Sequence, residues 1–185
     1  MMKNLVFFLE GPSEKDFLLG FLPRILPSHI TSHFQVFQGK QDLERQLVRR
    51  MQHWLLPDTG FLVMRDQDSA DCLAVKATLC ALCADAGRPD AVVRIACREL
   101  ETFFVGDWPA VATGFNKPAL AALARKAKYR DPDLLGSPAL EIKQHVAIFQ
   151  KREGARRIAP HLDPANNRSR SFRMLVQSIQ GLAAA

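Results

Sequence analysis

Short apolar segments recur along the first half of the chain, and each one stops at a polar turn. Phe61–Met64 is a continuous apolar run, which is typical of a strand that is covered on both faces. The other segments are Asn4–Leu9, His33–Phe37 and Ala91–Ala96. This pattern predicts four β-strands.

Segments with helical periodicity separate these strands. They are Lys15–Ile25, a segment that begins after Gln38 and runs to about His53, and Ala70–Ala86. Strands that alternate with helices favour parallel pairing, because a parallel connection needs a crossover long enough for a helix. We therefore predict an α/β fold, a mostly parallel four-stranded sheet flanked by helices.

From Asp107 onward the chain becomes helical and poor in strands. The predicted helices are Pro109–Thr113, Pro118–Lys128, Ser137–Phe149 and Ser171–Leu182. We predict an α/β core over residues 1–106 and a helical C-terminal extension over residues 107–185, packed on the core. A length of 185 residues suits a single domain overall.

The composition is that of an ordinary globular protein, with 48% apolar and 24% charged residues. No run approaches the about 20 apolar residues of a membrane span. The apolar stretch Leu5–Leu9 is too short for the core of a signal peptide, and Glu10 follows it at once. We expect a cytoplasmic protein without membrane association. Disulfides are not expected in the cytoplasm. The C-x-x-C at Cys80–Cys83 does not indicate a zinc site, because it lies inside a helical pattern and lacks a second pair of zinc ligands.

The net charge of +6 is unevenly distributed. Acidic residues gather near the predicted strand ends, whereas Lys117–Arg130 and Lys151–Arg173 are basic. Basic surface beside an acidic pocket suits a polyanion such as nucleic acid, which Lys and Arg attract by releasing counterions.

Carboxylates follow the predicted strands where those strands end. Glu10 follows the first strand, Asp66 and Asp68 follow the third, and Glu101 comes after the fourth. Carboxyl ends of parallel strands meet at one edge of a sheet, and strand alternation would point Asp66 and Asp68 the same way. Converging carboxylates are costly unless a cation lies between them, and Mg²⁺ or Mn²⁺ prefers oxygen ligands.

Each of these acids also has a plainer structural interpretation. Asp66–Asp71 can be a solvated turn in which Asp68 or Ser69 caps the next helix. Glu14 can interact with the dipole of the first helix, and Arg98 and Glu101 can form an ordinary ion pair three residues apart.

Three segments carry a resemblance to TOPRIM-like domains: Glu10-Gly-Pro-Ser-Glu14, Asp66-Gln-Asp68 and Arg98-Glu-Leu-Glu101. Nearly the whole chain resembles a small stand-alone TOPRIM-like family of unknown function, similar to the TOPRIM nuclease domain of the overcoming-lysogenization-defect (OLD) proteins. Glu10 matches the glutamate of an E-G-x-[ST]-E turn in that group. Asp66 and Asp68 match its D-x-D motif after a later strand.

This resemblance implies Mg²⁺-dependent phosphodiester chemistry on DNA or RNA. Asp66 and Asp68 would hold metal, Glu10 would bind metal or act as general base, and Glu101 would help to hold a second ion. Lys151 or a C-terminal arginine would neutralise charge at phosphorus. The residues expected to bind substrate are basic: Lys40, Arg98, Arg156 and Arg157.

The same resemblance suggests a partner. OLD-type proteins join an ATPase to the TOPRIM domain, whereas this chain contains no Walker loop. By analogy we expect a separately encoded ATPase partner in a defence or repair system, and a homodimer stays open. Tyr129, the only tyrosine, lies in the helical half, which argues against a topoisomerase-like covalent intermediate.

Two other functions remain open at this point. The chain can be a non-catalytic module that binds nucleic acid or a nucleotide with the same acidic pocket and basic residues. It can also be a phosphoryl-transfer enzyme for a small phosphorylated molecule, although that function leaves the basic helical half unused.

Overall fold

The computed structural model describes residues 2–185, and a four-stranded sheet lies at its centre. Its strands run in the order β2-β1-β3-β4, and every neighbouring pair is parallel. This arrangement confirms the predicted α/β class. The strands are β1 (Asn4–Leu9), β2 (Thr31–Val36), β3 (Thr59–Asp66) and β4 (Val92–Ala96).

The strand register brings the four carboxyl ends to one edge of the sheet. Leu9 of β1 pairs with Val36 of β2 on one side and with Met64 of β3 on the other. Asp66, at the end of β3, lies opposite Ala96 at the end of β4. The loops that follow the strands therefore share this edge, as expected for a parallel sheet.

The helices of the first half cover both faces of the sheet. They are α1 (Pro12–Phe21), continued by a 3-10 turn over Leu22–Arg24, α2 (Lys40–Gln52) and α3 (Cys72–Asp85). On one face, Phe7 of β1 shares a hydrophobic cluster with Phe17 of α1. On the other face, Phe8 shares a second cluster with Leu47 of α2 and Leu79 of α3. Alternate residues of β1 thus enter different cores, as the period of a strand requires.

The C-terminal half is helical, as predicted, but two of its segments differ from the expected helices. Pro118–Lys128 is not one α-helix: 3-10 turns cover Pro118–Arg125 and Ala127–Tyr129, and they are separated by Lys126, whose extended backbone (ψ of 134°) interrupts the helical path. Helix α6 ends at His145, before the predicted Phe149. The helices are α4 (Thr102–Val105), α5 (Trp108–Gly114), α6 (Pro138–His145), α7 (Lys151–Ile158) and α8 (Arg170–Ala184).

These C-terminal helices complete the larger core. The Phe172 ring of α8 lies 5.2 Å from the Phe21 ring and 5.4 Å from the Phe103 ring, measured between centroids. Arg152 of α7 donates from Nε to Asp16 Oδ2 of α1 over 2.7 Å. The two halves of the chain therefore share one core on the α1 face of the sheet. Among residues 2–185, no helix combines the length and the apolarity needed to cross a bilayer.

Candidate functional site

An acidic pocket of about 260 Å³ lies at the carboxyl edge of the sheet. Four carboxylates and one lysine define it: Glu10, Glu14, Asp66, Glu101 and Lys151. The remaining wall comes mainly from the turns after β1 and β2, namely Gly11, Pro12, Ser13, Phe37, Gln38, Gly39, together with Leu100.

The turn after β1 places two of the acids in this pocket. The chain leaves β1 at Leu9, Gly11 precedes α1 in an extended conformation, and Pro12 begins the helix, a position that suits its fixed φ. A Cβ atom on Gly11 would lie 3.3 Å from Glu14 Oε2. A glycine therefore leaves room for the Glu14 carboxylate beside the strand end.

Glu10 is fixed by contacts with the end of β3. Its Oε2 accepts a hydrogen bond of 3.2 Å from the Asp66 backbone N–H, and the buried Arg65 places Nε 3.9 Å from the same oxygen. Arg65 also pairs with Glu44 of α2. The pKa of Glu10 is raised, mainly because the side chain is buried, and the negative charge of Asp68 raises it further. The hydrogen bond from the Asp66 N–H and the charge of Arg65 lower the pKa but do not cancel this effect.

Asp66 and Glu14 repel each other as anions. Burial holds the pKa of Asp66 well above its usual range, and the charges of Glu14, Glu101 and Glu10 raise it further. Asp66 Oδ1 is buried without a hydrogen-bond partner. Burial also raises the pKa of Glu14 to about 7. Both carboxyl groups therefore favour binding a proton or a cation.

Glu101 and Lys151 form a charged pair in the pocket. Glu101 is fully buried, and neither of its carboxylate oxygens has a hydrogen-bond partner. Lys151 Nζ lies 3.3 Å from Glu101 Oε2 without hydrogen-bond geometry, and it donates to Glu99 Oε2 over 2.8 Å. Although burial alone would lower the pKa of Lys151, the charges of Glu101 and Glu99 raise it above its ordinary value.

The donor set suits a hard cation that keeps much of its water. Within residues 2–185, no group of three or more His, Cys, Asp or Glu side chains is placed to hold an ion alone. Mg²⁺, however, is usually bound by one or two carboxylates together with waters and substrate phosphates. The unpartnered oxygens of Asp66 and Glu101 are ligands of that class. The pocket therefore fits a partly hydrated Mg²⁺ or Mn²⁺ better than a site built from protein ligands alone.

Asp68 does not line the acidic pocket. Strand β3 ends at Asp66, so strand alternation does not extend to Asp68, whose φ of 56° lies in the left-handed region. Its Oδ2 accepts a hydrogen bond of 2.8 Å from Lys40 Nζ at the start of α2. Asp68 and Lys40 thus form a partly exposed ion pair beside the pocket rather than inside it.

Arg98 joins the loops that follow β3 and β4. Its φ is 64°, its N–H donates to the Gln67 side-chain oxygen over 3.2 Å, and its guanidinium donates to Asp68 O over 3.4 Å. No ion pair between Arg98 and Glu101 is present in the described chain, which removes the plainer interpretation of that spacing. The cap of α3 is Asp71, which accepts from the Ala74 N–H over 2.8 Å, rather than Asp68 or Ser69.

The two α7 arginines predicted to bind substrate lie away from the acidic pocket and do not line it. Arg156 Nε lies 3.3 Å from Asp16 Oδ1. Arg157 Nε donates to Glu153 Oε1 over 2.6 Å, and its guanidinium covers the Phe115 ring. Both side chains are thus engaged in contacts that hold α7 to its surroundings.

Glu14 is a member of the site that was not predicted from the sequence. The sequence favoured a dipole interaction at the start of α1, and Glu14 does lie in the first turn of that helix, but its side chain is also buried in the pocket. The available signal was the spacing of Glu10 and Glu14 across a glycine-containing turn, which carries both acids to one edge.

Comparison with known proteins adds a family but no activity. No curated protein and no solved structure matched the chain significantly. A family model described as "Domain of unknown function (DUF4276)" matches residues 9–180, a span that includes every residue of the acidic pocket. The chain therefore belongs to the DUF4276 family.

Proposed function

We propose that the acidic pocket is a metal-dependent site that hydrolyses phosphodiester bonds in nucleic acid. The observation that carries this proposal is the set of buried and half-buried acids beside Lys151, in which buried oxygens of Asp66 and Glu101 accept no hydrogen bond. Buried carboxylates without partners are costly, and perturbed groups in a cleft are characteristic of functional sites.

Asp66 and Glu101 would hold Mg²⁺ or Mn²⁺ together with waters, and Glu10 would bind the ion or act as general base. Glu14 adds a fourth carboxylate that the sequence did not predict. A bound ion would lower the pKa of an attacking water and offset negative charge at phosphorus. Asp68 would bind the metal only after its ion pair with Lys40 is broken.

Lys151 supplies the positive charge of the pocket. Its position between Glu99 and Glu101 orients the ammonium group, while half of its side-chain surface stays exposed. It can therefore donate to a phosphate oxygen and stabilise charge that develops there. Lys40, at the start of α2, and Arg98, in the loop after β4, would hold the flanking backbone of the substrate. Arg156 and Arg157 would act only on substrate that extends along α7.

The net charge of +6 supports a polyanionic substrate. The resemblance of the Glu10, Asp66 and Asp68 motifs to TOPRIM nuclease domains supports the same reaction class. A separately encoded ATPase partner is part of this proposal on analogy alone.

The experiment combines metal binding with cleavage. Mn²⁺ is titrated calorimetrically into the wild type, Asp66→Asn and Asp85→Asn, the last being a control on the exposed end of α3. Labelled single- and double-stranded DNA and RNA are then incubated with each protein, with and without a chelator. We expect Mn²⁺ binding and metal-dependent cleavage by the wild type and Asp85→Asn, and loss of both in Asp66→Asn. A wild type that binds no Mn²⁺ and cuts nothing would refute the proposal.

The second candidate is a non-catalytic nucleic-acid or nucleotide-binding module. It is favoured by the absence, within residues 2–185, of three acidic or other ligand side chains placed around one point. This function predicts that an oligonucleotide or nucleotide binds equally well in the presence of a chelator and to Asp66→Asn. Binding that depends on both metal and Asp66 would instead support the catalytic function.

A further inference from the structure

Strand β4 has one unpaired edge. The Gln67 N–H donates to Ala96 O over 2.9 Å, so Ala96 directs its backbone groups toward β3. Because backbone groups alternate along a strand, Val93, Ile95 and Cys97 direct theirs away from the sheet. These outward groups form a template on which another strand can pair.

Only part of this template is covered by the chain itself. Val93 O accepts a hydrogen bond of 3.2 Å from the Arg94 guanidinium, and the Cys97 N–H donates to Ser171 Oγ over 3.4 Å. The Val93 N–H and both backbone groups of Ile95 have no such cover from residues 2–185. One donor at Val93 and a donor and an acceptor at Ile95 therefore remain on this edge, with the covered Val93 carbonyl between them.

A groove of about 340 Å³ runs along these groups, and we name it the edge groove. Val93 and Ile95 form its floor, Leu73 and Lys76 of α3 form one wall, and Arg170 and Met174 of α8 form the other. Leu73 is 77% exposed and Met174 is 39% exposed, although both are large apolar side chains. The groove thus presents apolar side chains on both sides of an open backbone edge.

The edge groove is positively charged. Lys76 and Arg170 are exposed on opposite walls, whereas Arg94 donates from Nε to Ser178 Oγ of α8 over 2.6 Å. The acid at this groove is Asp133, whose carboxylate accepts from Ser169 Oγ over 2.6 Å and from the Ser171 N–H over 2.8 Å. Because Asp133 and Arg94 are both engaged with α8, Lys76 and Arg170 determine the charge that an incoming segment encounters.

We infer that the edge groove binds an extended segment of a partner protein in which apolar and acidic residues alternate, and that this segment pairs with β4. Main-chain hydrogen bonds to Val93 and Ile95 would supply affinity, while Leu73, Met174 and the basic residues would select the side chains. A second copy of this chain fits poorly, because its net charge of +6 opposes binding to a basic groove. Nucleic acid would leave the amide template unused.

This inference is independent of the proposed nuclease activity. Its test uses a fluorescent peptide of about six alternating valine and glutamate residues, the usual length of a strand. A matched peptide has lysine in place of glutamate, and a labelled single-stranded oligonucleotide serves as the competing ligand. Binding to the whole protein is followed by anisotropy, and exchange of the Ile95 and Val93 amides is followed by NMR.

We expect the glutamate peptide to bind with a Kd below about 1 mM, the lysine peptide to bind more weakly, and the Ile95 amide to exchange more slowly in the complex. Lys76→Glu/Arg170→Glu should weaken glutamate-peptide binding by about tenfold or more, because attraction becomes repulsion. The control Lys117→Glu/Lys143→Glu has the same change in net charge but alters exposed residues outside the groove.

Three outcomes would overturn the inference. The first is no binding of the glutamate peptide, or equal binding of both peptides. The second is an equal loss of binding in the groove variant and its control. The third is a combination of two results: the oligonucleotide binds the wild type and the control but not the groove variant, and the peptide leaves the exchange of the Ile95 amide unchanged.

Discussion

The backbone N–H of Asp66 donates a hydrogen bond of 3.2 Å to Oε2 of Glu10, a residue 56 positions earlier in the chain. This contact joins the ends of the adjacent strands β1 and β3 at the acidic pocket. The Glu10 carboxylate therefore has a structural role in addition to any role in catalysis or metal binding. Substitutions can separate these two roles.

We predict that Glu10→Gln and Glu10→Ala differ in stability although both remove the charge. The glutamine amide oxygen can still accept from the Asp66 N–H, whereas alanine leaves that donor without its partner. Glu10→Ala should therefore unfold with a free energy about 1 kcal/mol lower than Glu10→Gln. Urea denaturation at neutral pH measures the difference. Equal stability of the two variants would show that the hydrogen bond contributes nothing.

The different positions of Asp66 and Asp68 lead to a second prediction. Asp66 lines the pocket, whereas Asp68 pairs with Lys40 beside it. If the pocket is the proposed metal site, Asp66→Asn should remove metal-dependent cleavage, while Asp68→Asn should reduce it by about 10- to 100-fold, as outer groups do. Cleavage rates over a Mg²⁺ series measure both effects. A larger loss in Asp68→Asn than in Asp66→Asn would contradict this assignment.

The raised pKa of Glu14 predicts that stability falls as the pH rises. Between the ordinary pKa of 4.5 and the raised pKa of about 7, the folded protein keeps a proton that the unfolded chain has released. The free energy of unfolding should therefore decrease by about 3 kcal/mol across this window in metal-free buffer.

Glu14→Gln should flatten this pH dependence and stabilise the protein above about pH 7. Asp85→Asn, which changes an exposed acid on α3, should leave the dependence unaltered. Urea denaturation at a series of pH values tests both. A wild type whose stability rises over the same pH range would disprove the prediction.

Two glycines should respond oppositely to alanine. A Cβ atom on Gly114 of α5 would lie 2.6 Å from the backbone oxygen of Arg157 in α7, whereas a Cβ atom on Gly181 of α8 would meet nothing within 4 Å. Gly114→Ala should lower the free energy of unfolding by about 1–3 kcal/mol. Gly181→Ala should raise it by about 0.5–1 kcal/mol, because alanine favours a helix interior. Thermal unfolding of the two variants compares them directly.

The sheet was predictable because its signal is local. Phe61–Met64 is apolar throughout and ends at acids, so both the strand and the polar edge after it can be recognised without tertiary information. The same holds for Asn4–Leu9, whose predicted bounds match β1. A strand covered on both faces favours a continuous apolar run, and the polar residues at its end help to distinguish it from a segment of buried helix.

The acidic pocket was predictable only in part. Glu10, Asp66 and Glu101 follow strands, so strand topology alone brings them to one edge. The orientation of Asp68 depends on a left-handed backbone conformation and on Lys40, which is 28 residues away. The burial of Glu14 depends on the direction that α1 takes after the turn that follows β1. Neither property follows from the spacing of residues along the chain.

The aromatic contacts of Phe172 have a consequence for synthesis. Helix α8 leaves the ribosome after every other described element, yet Phe172 packs against Phe21 of α1 and Phe103 of α4. Until Phe172 has been synthesised, these two rings lack that part of their apolar cover. Helix α1, which carries Glu14 of the acidic pocket, therefore gains one of its packing partners only when this late segment of the chain is present.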